Sequence, residues 1–187
     1  IMDRDYIHGT NEQEQERLFT LNRLTNQSFI NFLEIKNHQK ILEVGSGLGI
    51  LTNEISQNNN NNVKIIGIEY SHDQLNKCIC KTNNISFIKG NVHNLPFDDS
   101  TFDLVYCRYL LEHVKNPIKV LQEIYRVLRF NCLFFIQENN VIINQLYPEC
   151  PAFTKVMHNF IKLQKELEGD AEIGKKLFSY LKTVGFN

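Results

Sequence analysis

The sequence carries no excess of either charge: 20 Lys and Arg stand against 21 Asp and Glu, a formal net charge of −1. That balance excludes a chain steered to polyanions by a global positive field. Long apolar runs are also missing. No stretch approaches the roughly 20 residues that a membrane-spanning helix needs, and the N-terminus carries no apolar signal-peptide core. The five cysteines are odd in number and form no Cys-x-x-Cys pair. Cys78 and Cys80 sit two apart, a poor spacing for zinc or redox motifs. Cys107 and Cys132 lie inside apolar runs, where a thiol behaves as a small hydrophobe. These absences predict a cytoplasmic chain with reduced thiols and no bound metal, and they leave no strong nucleic-acid or membrane signal.

Asn is abundant instead, at 23 residues with an unbroken run from Asn58 to Asn62. The run reads as a disordered surface loop. The Asn26-Gln27-Ser28 and Asn84-Ile85-Ser86 triplets match the glycosylation pattern as accidents of that richness. No internal repeat is present.

Apolar residues at Leu18, Leu21, Leu24, Phe29, Ile30, Phe32 and Leu33 follow helical spacing. They predict two helices over 12–33, broken near Asn26. Short β-rich runs at 40–44, 63–68, 85–88, 102–107 and 133–137 read as strands. Helices are expected over 48–57, over 73–81 with Ser71 as N-cap, and from Pro117 to 128. Two more are expected over 151–167 and 171–184, closed by Gly185. Strands alternating with helices predict one α/β domain, a doubly wound, mainly parallel sheet with a helical N-terminal extension.

Glu43-Val44-Gly45-Ser46-Gly47-Leu48-Gly49 joins the first strand to its helix. In such sheets ligands bind beyond the carboxyl ends of the strands, and glycines there allow close backbone approach. The dinucleotide fingerprint would need Gly or Ala at position 50, which is Ile50. Glu43 would repel a pyrophosphate and suits an ammonium group. A nicotinamide dehydrogenase is therefore disfavoured. Glu69 ends the second strand, 24 residues after Gly45, where an acid accepts hydrogen bonds from both hydroxyls of a ribose. Tyr70 beside it can offer its ring to an adenine.

With these residues in place the chain resembles the class I S-adenosylmethionine-dependent methyltransferases, and more closely their type 11 methyltransferase-domain members. ILEVGSGLGILT is similar to that family's first motif and GIEYS to its second. FIKGNVHNLPFDDSTFDLVYC resembles its third and fourth, and YLLEHVKNPIKVLQEIYRVLR the stretch leading into the fifth strand. The segment from Tyr6 to Thr10, with EQERL, looks like a subfamily N-terminal segment, and GDAEIGKKLFSYLKTVGF like its late helix. The resemblance implies a Rossmann-like fold and S-adenosyl-L-methionine as cofactor, with S-adenosyl-L-homocysteine as product. It divides the domain into a helical cap over 1–37, a cofactor-binding core over 38–140 and a helical substrate-side segment over 141–187. Glu43 would meet the methionine ammonium, and Gly45, Ser46, Gly47 and Gly49 would let the backbone pass under the methionine portion. Glu69 would hold the ribose and Tyr70 pack on the adenine. Asn91 and Val92 fall where the family has an acid and a small or apolar residue. The amide oxygen of Asn91 can still accept the adenine amine, more weakly by about 1 kcal/mol. Cys107 and Arg108 would line the methionine portion through backbone carbonyls.

The sequence departs from the family at two further points. Arg129-Phe130-Asn131-Cys132 replaces a Pro-Gly-Gly turn, with Asn131 able to supply a turn residue. The chain also stops at Gly185-Phe186-Asn187 where relatives continue, so a truncated or partly resolved sheet lacking its last two strands is expected.

Methyl transfer from a sulfonium is an in-line displacement that alignment alone can drive, so a catalytic side chain is optional. His113 is the candidate base; the alternative is a structural histidine capping a loop. Relatives that bind a divalent metal carry an acid where this chain has Tyr109. Tyr6 and His8 read either as a lid or as a mobile terminus. Arg17 reads either as a partner for an acidic substrate group or as one half of a solvated helical pair. Leu146, Tyr147, Phe153, Met157 and Phe160 read as the roof of an acceptor pocket or as helix core. The expected activity is transfer to a small-molecule acceptor. A protein or RNA methyltransferase and a non-catalytic fold-mate remain as alternatives.

Overall fold

The computed structural model describes residues 11–36, 39–59, 62–78 and 82–187. Five strands form one all-parallel sheet in the order β3-β2-β1-β4-β5. They are β1 (Lys40–Val44), β2 (Lys64–Glu69), β3 (Ile85–Lys89), β4 (Phe102–Arg108) and β5 (Leu128–Gln137). Around them lie α1 (Glu12–Phe32), α2 (Ile50–Asn58), α3 (His72–Lys77), α4 (Pro117–Val127), α5 (Pro151–Glu166) and α6 (Ile173–Val184). The doubly wound expectation matches this arrangement. The central strand β1 pairs with β2 on one side and β4 on the other, so the strand order switches between β1 and β4. That switch point is where such a sheet leaves a crevice.

Side-chain alternation divides the core into two faces. Leu42, Val44, Val105 and Cys107 pack with Val120, Leu121 and Ile124 of α4 and Ile173 of α6. Ile41, Leu104 and Tyr106 pack on the opposite face with Phe29 and Ile30 of α1 and Leu51 and Ile55 of α2.

Several local expectations need correction. Residues 12–32 form one helix, not two. Asn11 caps it by accepting from the Glu14 amide at 2.9 Å. Asn26 does not break it, because its side chain is spent on tertiary bonds: Nδ2 donates to Glu54 at 2.8 Å and Oδ1 accepts from Arg108 at 2.7 Å. The second helix begins at Ile50 because Gly49 is held in the left-handed region, with φ of 71°. A β-carbon there would sit 2.2 Å from the Phe87 ring. Ser71 caps α3 as expected, but that helix ends at Lys77. The fifth strand starts at Leu128, directly after α4, and Asn131 (φ 62°) lies inside it rather than in a preceding turn. The register with β4 shifts nearby, between Phe102 and Leu104. Of the expected loop over 58–62, Asn58 closes α2, Asn59 caps it, and residues 60–61 lie outside the described residues. Gly185 ends α6 in the left-handed region, as expected. Among the described residues no helix is long and apolar enough to cross a membrane.

Candidate functional site

A cavity of about 750 Å³ opens beyond the carboxyl ends of the strands, at the switch point. All five strands feed it: Glu43 and 45–48 from β1, Glu69 and Tyr70 from β2, 91–93 after β3, 108–110 from β4, and 139–141 after β5.

The glycine loop makes its floor. Gly45 and Gly47 have φ of 78° and 53°, conformations that other residues adopt at a cost. The amides of Gly45 and Ser46 both donate to the Ile68 carbonyl, at 2.9 and 3.0 Å. This ties the loop to β2. Glu69 secures it further, accepting from the Gly47 amide through Oε2 at 2.9 Å and from the Ser71 amide through Oε1 at 2.8 Å. Each carboxylate oxygen keeps a second lone pair for a ligand hydroxyl. Glu43 lies buried on the cavity wall. Its Oε2 accepts from the Tyr106 hydroxyl at 3.0 Å and from Thr52. Burial pushes its carboxyl up to about 7, opposed by these two hydroxyls and by the Arg108 charge.

Most of the candidate residues meet in this one cavity. Glu43, Gly45, Ser46, Gly47, Glu69, Tyr70, Asn91, Val92, Arg108, His113 and Arg17 all line it. Two do not. Gly49 serves the loop-to-helix turn, and its missing side chain makes room for Phe87. Cys107 points into the core on the opposite face of β4 from Tyr106 and Arg108. Tyr6 and His8 lie outside the described residues.

Asn91 turns its Oδ1 onto its own loop, accepting from the His93 amide at 2.9 Å. The Arg17 guanidinium donates twice to Glu14, at 2.7 and 2.8 Å, while lining the cavity. The His113 imidazole stands 3.7 Å from the Glu112 carboxylate. Glu112 is buried and accepts from Asn139 at 3.0 Å and Gln164 at 3.3 Å. The turn bearing His113 is held by Glu138, whose Oε1 accepts from the Leu110 and Leu111 amides at 2.9 and 2.6 Å. Burial pushes the Glu138 carboxyl up to about 8. Of the expected roof, Met157 and Phe160 line the cavity, whereas Leu146, Tyr147 and Phe153 do not.

Sequence reasoning missed the remaining walls: Leu18, Leu21 and Asn22 of α1, Gln74 of α3, and Asn139, Asn140 and Val141. The spacing of Leu18 and Leu21 signalled a buried face, yet nothing local said that a cavity rather than the core would face it.

Comparison with known proteins gives a consistent picture. Residues 42–136 match a family described as a methyltransferase domain. The ubiquinone/menaquinone biosynthesis C-methyltransferase UbiE of Rickettsia prowazekii is 31% identical over 141 residues, covering 68% of this chain and 56% of that protein. The chain spans about half the length of the curated relatives it matches. A SAM-dependent methyltransferase from Aquifex aeolicus superposes with a TM-score of 0.69 at 17% identity, covering 94% of this chain and 88% of that one. A phosphoethanolamine N-methyltransferase of Haemonchus contortus, solved with S-adenosylhomocysteine, gives 0.69 at 18% identity over 87% of this chain and 36% of that one.

Proposed function

The chain belongs to the methyltransferase-domain family of class I S-adenosylmethionine-dependent proteins, and on that premise we propose that it transfers a methyl group from S-adenosyl-L-methionine to a small, largely apolar acceptor. The observation that carries this reading is the pair of carboxylates, Glu43 and Glu69, at the ends of adjacent strands on one cavity floored by the glycine loop. Its volume lies in the range of about 300–1,000 Å³ typical of small-molecule sites.

The residues fit the cofactor end to end. Glu43 meets the ammonium, the backbone of 45–47 passes beneath the methionine portion, and Glu69 takes the ribose hydroxyls. Tyr70, Asn91 and Val92 surround the adenine. S-Adenosylmethionine, when bound, supplies an already activated methyl group on a sulfonium. The protein's task is therefore alignment and exclusion of water. Leu18, Leu21, Val114, Val141, Val156, Met157 and Phe160 give the rest of the cavity its apolar walls. The quinone named for the UbiE relative is an acceptor of that character. Where the acceptor must lose a proton, the His113 imidazole, backed by Glu112, takes it.

Titration calorimetry with S-adenosylmethionine tests the binding half. The expected result is saturable binding that Glu69→Ala weakens about 10- to 100-fold, the cost of two charge-assisted hydrogen bonds. Absence of binding, or binding indifferent to Glu69→Ala, would sink the proposal. A second reading, binding without transfer, draws on Asn91, whose amide oxygen already serves His93. Incubation with labelled cofactor and a metabolite extract separates the two, because a binding module leaves every metabolite unlabelled.

A further inference from the structure

The cavity wall holds a cation that has no anionic partner within ion-pair reach. Arg108 lines the cavity, and among the described residues no carboxylate lies within 4.0 Å of its guanidinium nitrogens. Both of its hydrogen-bonded partners are neutral: Nη1 donates to Asn26 Oδ1 at 2.7 Å and Nη2 to Thr25 Oγ1 at 2.6 Å. The plane is held between two rings, with Cζ 5.0 Å from the Phe29 centroid and 5.1 Å from that of Tyr109. Its Nε is buried without a partner. A guanidinium has five N–H donors, so this one is fixed in place and still under-used. Enclosing such a charge without a counter-ion is costly, and a binding site is a place where a ligand's anion offsets that cost.

The strand register puts this cation beside Glu43. Glu43 pairs with Tyr106 across β1 and β4, and Arg108 follows two residues later on the same face. The Arg108 charge is accordingly felt at the Glu43 carboxyl. One wall thus presents an acid and a base side by side, the complement of an α-amino acid's ammonium and carboxylate. The other cations of the cavity are engaged with acids: Arg17 with Glu14, and Lys115 with Glu168.

We propose that the Arg108 guanidinium receives the carboxylate of the ligand's amino-acid end, forming with Glu43 a subsite for a zwitterion. This rests on the cofactor assignment above, and it gives the Arg108 side chain a role distinct from the backbone contact that the sequence suggested.

The test compares S-adenosylmethionine with its decarboxylated form, which keeps the ammonium and lacks only the carboxylate. Calorimetric titrations are run on the wild-type protein, Arg108→Met, Arg108→Lys and Arg17→Met. The wild type is expected to favour the carboxylated ligand about 10- to 100-fold, the usual range for a charge-assisted pair. Arg108→Met should abolish that preference by weakening only the carboxylated ligand. Arg108→Lys should restore part of it, and Arg17→Met should leave it intact. Equal weakening of both ligands by Arg108→Met would reduce Arg108 to a prop for α1 and overturn the inference. So would a wild type that binds the two ligands equally, an outcome that needs no variant to fold and leaves the cofactor assignment standing. A wild type that binds neither ligand overturns both.

Discussion

Glu43 has two hydroxyl partners and a neighbouring guanidinium, yet burial outweighs them and lifts its carboxyl to about 7. Glu138 is lifted further, to about 8, with the nearby Glu112 charge adding to the effect of burial. A carboxyl whose folded value lies above its ordinary 4.5 contributes stability that is complete below that ordinary value. The contribution disappears as pH rises through the folded value. The unfolding midpoint should therefore drop steadily between about pH 5 and 8, and Glu43→Gln and Glu138→Gln should each flatten that slope; thermal melts across the range measure it. Ligand affinity should run the opposite way, rising with pH up to about 7, because the ammonium pairs with the ionised Glu43. The Glu43, Gly45 and Glu69 set was legible in the sequence because strand-end acids around a glycine turn are a local pattern. The environment of Arg108 was not legible, since it depends on Thr25 and Asn26, some eighty positions earlier in the chain. Cys107 was assigned to the site by proximity, although alternation along β4 places it on the other face.

Among the elements, α1 departs most from its sequence pattern. An Asn in mid-helix competes for backbone groups and often marks an end. Here the Asn26 amide bridges Glu54 of α2 to Arg108 of β4 and is almost fully buried. Asn26→Leu leaves Glu54 and Arg108 without that partner in a closed setting. Denaturant unfolding should report a loss of about 2 kcal/mol, within the range for unsatisfied buried polar groups. The start of β5 was hidden for a different reason. Arg129, Phe130 and Asn131 look like a polar turn, yet strand pairing with β4 tolerates the left-handed Asn131 where the register shifts. Helix existence and strand order were readable from periodicity because each needs only a local apolar pattern. Boundaries depend on caps such as Gly49, and that position is set by Phe87 from β3.

For the molecule as a whole, five parallel strands bring five loops to one end, and the cavity is the place where those loops meet. The doubly wound form was legible because alternating strands and helices leave few topologies open. The composition of the cavity was only half legible: the strand-end floor follows from the motifs, while the α1 and α5 walls follow from packing. The two halves of α1 consequently sit in different surroundings. Phe29 and Ile30 near its end join the core shared with β1 and β4, whereas Leu18, Leu21 and Asn22 face the cavity. The first half is therefore braced by whatever fills that space, and the second by the sheet itself. Deuterium uptake followed by mass spectrometry should detect the difference: with S-adenosylhomocysteine added, peptide amides over 15–24 should exchange markedly more slowly, while those over 27–32 change little.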